Sequence, residues 1–251
     1  MPPMLDSQLG LCRTRWTCLA CGRSETSTAV PPECICGVEQ SWVAPDEDVI
    51  TRRSPATRAV LASTMPSVDI CRVRTGELEL DELLGGGIAV GSAVLVYGKR
   101  GSGKTRLTYR WATRAPCLVV CPELSLDVAR IIVQSTGGHL ETAYLLQTLE
   151  GWQEEAERLG VRSLVIDSLA AARNPTALLR SMQMWARLHG SIAWAIQHAT
   201  KKGDHRGDTS VSHWADYEMR LSKPTPTASS TRVELLKTRI GPTGIATAQL
   251  I

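Results

Sequence analysis

The octapeptide GKRGSGKT at 98–105 has the residue types and spacing to hold a polyphosphate. It fits the pattern G-x-x-x-x-G-K-T, and the expected binding set is Gly98, Lys99, Arg100, Gly101, Ser102, Gly103, Lys104, Thr105 and Arg106. Glycines let backbone N–H groups turn inward around phosphates, Lys104 reaches the β- and γ-phosphates, and the Thr105 hydroxyl ligates Mg²⁺. The helix that opens here adds a favourable dipole for anions. Such a loop needs a strand before it and a helix after it. "AVLVY" at 93–97 and "KTRLTYRWATR" at 104–114 read as that strand and that helix. The expected ligands are therefore ATP and Mg²⁺.

Three further apolar runs end in polar residues suited to work beside such a loop. "SLVID" delivers Asp167, a carboxylate able to support Mg²⁺. "CLVVC" is followed by Glu123, which could orient and polarise an attacking water, although a solvated turn glutamate would look the same. "SIAWAI" delivers Gln197 and His198 to the place where a γ-phosphate would lie; satisfied turn residues are the alternative. The loop beyond, "ATKKGDHRGDTSVSHW", carries Lys201, Lys202 and Arg206 among glycines, a composition suited to nucleic-acid phosphates. Asp204 and Asp208 dilute its charge, so a solvated surface loop remains the alternative.

A second chemistry is written near the N-terminus. Cys18 and Cys21, then Cys34 and Cys36, supply four thiolates at a spacing that closes around tetrahedral Zn²⁺. A segment this short has too little core to fold without such a staple. The single residue between Cys34 and Cys36 is tight, and Cys12 is a possible substitute ligand. Cys117 and Cys121 sit in an apolar run and read as core residues.

These residues need a framework of α/β type. The 251-residue chain is 43% hydrophobic with a net charge of +3, so any contact with nucleic acid must come from local clusters rather than the whole surface. Neither a secretory leader nor an eighteen-residue apolar run is visible, which points to a cytoplasmic protein without membrane contact. Apolar runs at 93–97, 117–121, 163–167 and 191–196 alternate with helical patterns, as in a mainly parallel sheet covered by helices. Runs at 215–221, 231–237 and 244–251 lack intervening helices and should extend the sheet as antiparallel hairpins. The expected organisation is a zinc-finger module at 1–43, a linker at 44–70 and an ATPase domain at 71–251. Phenylalanine is absent, leaving aliphatic residues and seven tryptophans to fill the core.

The order of these motifs resembles the RadA/Sms family of recombination ATPases. "RTGELELDELLGGGIAVGSAVLVYGKRGSGKT" is similar to that family's stretch from its TG turn to its phosphate loop, "PELSLDVA" to its GEESL segment, "LVIDS" to its second nucleotide motif and "QHATKKG" to its GHVTK-x-G. "KTRIG" at 237–241 resembles its KNRFG signature. The resemblance implies a RecA-like core with a small zinc-ribbon-like module, forming a ring, a hexamer by expectation. That ring would bind single-stranded DNA and remodel or branch-migrate recombination intermediates, beside a recombinase or replication protein. It also implies that Lys237 and Arg239 approach the nucleotide or DNA of an adjacent subunit, whereas the residues alone would also suit an exposed strand end. The sequence departs from the family at Thr238, Ile240 and Leu124, in its shortened second cysteine pair, and in having no counterpart of the family's Lon-protease-like domain. Alternatives are a DnaB-type or KaiC-like ring ATPase, and a nucleotide-gated adaptor that recruits a partner through the zinc module.

Overall fold

A computed structural model describes residues 70–199, 210–225 and 227–250, together with the backbone of 14–18, 24–27 and 42–43. The chain divides into two compact units, Met1–Val73 and Arg74–Ile251. In the first, β1 (Thr14–Cys18) lies between β2 (Ser24–Ser27) and β3 (Trp42–Val43) and is antiparallel to both. The side chain of Cys18, and Cys21, Cys34 and Cys36 altogether, lie outside the described residues, as does the expected linker up to residue 69. A two-residue strand, β4 (Arg72–Val73), closes this unit.

The second unit runs α1 (Leu78–Leu83), β5 (Ile88–Ala89), β6 (Ser92–Gly98), α2 (Lys104–Ala112), β7 (Cys117–Val120), α3 (Leu126–Ser135) and β8 (Ala143–Leu146). It continues through α4 (Trp152–Leu159), β9 (Ser163–Asp167), α5 (Pro175–His189), β10 (Ile192–His198), α6 (Ser210–Trp214), β11 (Tyr217–Ser222), β12 (Ser230–Thr238) and β13 (Gly244–Gln249). Eight strands form one sheet in the order β13-β12-β11-β6-β10-β9-β7-β8. From β11 to β8 every neighbouring pair is parallel, while β12 and β13 add antiparallel strands at one side. The parallel strands β6, β7, β9 and most of β10 are buried residue after residue, because helices cover both faces and no solvated face remains to be polar. The antiparallel β12 and β13 alternate buried and more open residues instead.

Local signals place the helices. Ser125 caps α3 by accepting from Val128 N at 3.3 Å, and Asn174 caps α5 by accepting from Ala177 N at 2.9 Å, with Pro175 preset for the first helical turn. Gly190 ends α5 at φ +56°, a left-handed conformation that costs glycine nothing. Tryptophan supplies much of the missing phenylalanine volume: Trp111 meets Trp194 at 6.0 Å between ring centres, and Trp152 meets Trp185 at 6.1 Å. Among the described residues no helix is long and apolar enough to cross a membrane.

β8, α4, α1 and α6 go beyond the expected elements. α4 carries its buried residues, Trp152 and Ala156, in a run otherwise rich in charge, so its apolar stripe is only one residue wide. α1 is placed by the segment before it: Asp81 is buried and its carboxylate accepts from Thr75 N at 2.7 Å, Thr75 Oγ1 at 2.8 Å and Gly76 N at 3.0 Å. Glu77 then pairs with Arg110 of α2, so the TGELELD stretch is fixed against the helix of the phosphate loop.

Candidate nucleotide and metal site

β6 ends at Gly98, and the chain turns through residues 99–103 into α2. The turn presses against the end of β11. A Cβ on Gly98 would stand 2.3 Å from the Leu221 carbonyl oxygen and 2.7 Å from Ser102 Oγ, so only glycine fits. Thr231 of β12 donates from Oγ1 to the Ser102 carbonyl at 3.1 Å, bracing the loop from the antiparallel side of the sheet. Lys104 is buried, and its ammonium donates to the carbonyls of Gly98 and Lys99, both at 2.9 Å. Burial is the main cause of a Lys104 pKa below the ordinary lysine value; the negative charge of Asp167 opposes this and the positive charge of Arg100 adds to it.

The parallel strands bring the predicted polar residues to the same edge. Thr105 Oγ1 donates to Asp167 Oδ2 at 2.8 Å, although the two residues stand sixty-two apart in the chain. Asp167 is 8% exposed. Burial raises its pKa above the usual carboxylate value, the Thr105 hydrogen bond lowers it, Glu123 raises it, and His198 and Tyr109 lower it. Glu123 is exposed just beyond β7 and accepts from Ser168 Oγ at 2.6 Å. Thr105 and Asp167 are hard oxygen donors of the kind that holds Mg²⁺ together with phosphate oxygens and water. Among the described residues no group of three or more His, Cys, Asp or Glu gathers as a metal cage.

β10 sets Gln197 beside Tyr97 and His198 beside Gly98 in parallel register, which carries both to the loop edge. Gln197 is buried; His198 is half-buried and lines a cavity of about 510 Å³ with Arg100, Lys104, Thr105, Lys223 and Leu250. Cys117 and Cys121 are buried, and burial pushes their thiols up to about 12 and about 11, so they are neutral core residues as expected.

The KTRIG residues are not part of this cluster. β11 runs parallel to β6 and β12 antiparallel to β11, so Thr238 pairs with Tyr217 at the end of the sheet away from the loop. There Lys237 donates from Nζ to the carbonyls of Ser212 at 2.7 Å and His213 at 3.2 Å, at the C-terminal end of α6. Arg239 donates from Nε to Asp216 Oδ1 at 2.7 Å. Asp216 is 4% exposed and also accepts from Ala93 N, Gln183 Nε2 and Arg187. Lys201, Lys202 and Arg206 lie outside the described residues.

Several residues of the site went unread in the sequence. Ser168 follows Asp167 directly, and a hydroxyl there signals little until Glu123 is seen opposite it. Tyr109 is buried beside Asp167 without a well-formed hydrogen bond to it, and burial followed by that negative charge keeps its phenol protonated. Thr231 and Asp216 act only through long-range pairing of strands, which no local pattern reports.

Comparison with known proteins agrees with the fold. Residues 67–125 match the Rad51 family model. The chain is 25% identical to DNA repair protein RadA of Chlamydia pneumoniae over 258 residues, covering 92% of this chain and 55% of that protein. It is 27% identical to DNA repair protein RadA of Rickettsia bellii over 231 residues, covering 81% and 50%. Protein RecA of Rickettsia bellii is 36% identical over 118 residues, 42% of this chain and 34% of that protein. The chain spans about half the length of the RadA relatives it matches. Among solved structures, the RadB recombinase superposes with a TM-score of 0.53 at 21% identity, covering 70% of this chain and 95% of that one. The chain is similar to RadA proteins over most of its length, and its second unit has the RecA-like fold.

Proposed function

We propose that the chain is a Mg²⁺-dependent ATP hydrolase of the RecA-like kind that works on single-stranded DNA in repair and recombination. One observation carries the reading: the phosphate loop, its Thr105–Asp167 hydrogen bond and the Ser168–Glu123 hydrogen bond meet at one sheet edge, where the loop and Thr105 also line a cavity. The backbone of residues 98–103 and the N-terminus of α2 would receive the phosphates, and Lys104 would exchange two loop carbonyls for phosphate oxygens. Thr105 and Asp167 would hold Mg²⁺, which supplies charge neutralisation at the β- and γ-phosphates. Ser168 fixes Glu123 through one carboxylate oxygen, leaving the other to accept a proton from the attacking water. Gln197 and His198 stand where loss of the γ-phosphate would be felt.

The finer features belong to the same proposal. Lys201, Lys202 and Arg206 contact DNA phosphates, the four-cysteine module binds zinc, and subunits assemble into a ring in which Lys237 and Arg239 serve a neighbour. Their position away from their own phosphate loop fits action on another subunit better than on their own. A recombinase or replication protein is the expected partner. The similarity to DNA repair RadA proteins supports the DNA reading.

The test is steady-state ATP hydrolysis with and without single-stranded DNA, at two salt concentrations, for the chain and for Arg239→Ala. DNA-stimulated turnover that weakens with salt and is lost in Arg239→Ala supports a DNA-dependent motor. Turnover that ignores DNA would contradict it.

A further inference from the structure

A second cavity, of about 600 Å³, lies against the same phosphate loop, bounded by residues 98–102, by the end of β11 and by Glu234 of β12. It shares Arg100, Gly101 and Lys223 with the cavity described above, so the loop is a wall common to both. Its charge is one-sided. Lys99 and Arg100 are exposed at the loop, where phosphate binding calls on backbone N–H groups and Lys104 rather than on these two side chains. Lys223 closes β11's end, and Arg220 stands opposite Glu234 in the β11–β12 register.

Among the described residues Glu234 is the one carboxylate lining this cavity. Its side chain is 14% exposed and forms ion pairs with Arg220 and with Arg232, the latter at 3.3 Å. The two guanidinium-bearing side chains are 38% and 51% exposed, so the acid is the covered partner and the cations face solvent. Arg220 therefore brings positive charge to the surface of the groove.

We propose that this groove binds the phosphodiester backbone of a nucleic-acid strand, and that Glu234 restrains its affinity by neutralising part of the charge of Arg220. The lining cations come from two separate segments, Lys99 and Arg100 of the loop and Arg220 and Lys223 at the end of β11, rather than converging on one point. That distribution suits a chain of phosphates better than a single one. A strand seated here would touch the outer side of the loop that holds the nucleotide, through Arg100 and Lys223, so each ligand would alter the surface offered to the other. That the polyanion is nucleic acid rests on the function proposed above; that a polyanion binds does not depend on ATP turnover.

The experiment is fluorescence anisotropy of a labelled thirty-nucleotide oligothymidylate titrated with the full chain, without ATP, across several salt concentrations. Arg220→Gln is expected to weaken binding severalfold and to reduce the slope of log affinity against log salt by about 0.7, the loss of one phosphate contact. Glu234→Gln is expected to tighten binding severalfold, a gain that misfolding cannot imitate. Unchanged or weaker binding by a normally melting Glu234→Gln overturns the proposal. So does a matching response of inorganic phosphate binding to both substitutions, which would make this a small-anion site. A change in sedimentation without a change in oligonucleotide affinity also overturns it, by making the face a subunit interface. Because ATP is omitted, failure here is distinct from failure of the ATPase reading, which Lys104→Ala turnover tests separately.

Discussion

Asp167 carries a stability cost through its burial and, in the proposed site, a role in holding Mg²⁺. Its folded pKa lies above the unfolded value of about 3.8, so the ionised carboxylate costs stability at neutral pH. That cost is full above the folded pKa and vanishes as the pH falls below the unfolded one. Asp167→Asn should therefore raise the melting temperature of the nucleotide-free protein at pH 7, while the difference shrinks toward pH 4. The amide oxygen can still accept from Thr105, so a lower melting temperature at pH 7 would contradict the burial argument. The same substitution should abolish Mg²⁺-dependent turnover. Ser168 donates to Glu123, and if Glu123 is the general base as proposed, Ser168→Ala should lower kcat by about tenfold with little change in KM, because the base loses its orientation rather than its presence. Equal loss from kcat and from nucleotide affinity would instead assign Ser168 a structural role. At this scale the sequence was most informative where function imposes a fixed spacing. Lys104, Thr105 and Asp167 were legible because a phosphate loop and a strand-ending carboxylate are local patterns, whereas Ser168 and Tyr109 gain meaning only from what faces them.

The elements explain why the loop holds its shape. Gly98 marks the seam between β6 and β11, and Gly98→Ala would drive a methyl group into a backbone carbonyl. The expected cost is about 1–3 kcal/mol with loss of nucleotide binding, read from chemical denaturation and from ATP titration. Thr231→Val removes the hydrogen bond that braces Ser102 from β12 and should cost about 1 kcal/mol while raising KM for ATP. An unchanged KM would show that the loop is held without β12. Strand identities were legible from apolar runs. The one-residue-wide stripe of α4 and the brief "AYLL" of β8 were not, because short elements draw their stability from the sheet they join rather than from their own pattern. The same limit applies to KTRIG. Its position after a late strand was legible, but its grip on α6 and Asp216 depends on the pairing of β11 with β6 and β12.

The whole molecule joins a RecA-like unit to a smaller N-terminal one, and each carries its own expectation. Zinc bound by the four-cysteine set should appear as about one equivalent per chain in the purified protein, and its removal by chelator should unfold the small unit. Metal content near zero in reduced protein would show that the four cysteines do not hold zinc. For the larger unit, ATP hydrolysis at the loop edge as proposed is decided by comparing ATP binding and turnover in the chain, Lys104→Ala and Glu123→Gln. Glu123→Gln should bind Mg²⁺ATP near normally yet lose turnover by about 10²–10⁴-fold, whereas Lys104→Ala should lose both. Wild-type turnover in either variant would contradict it.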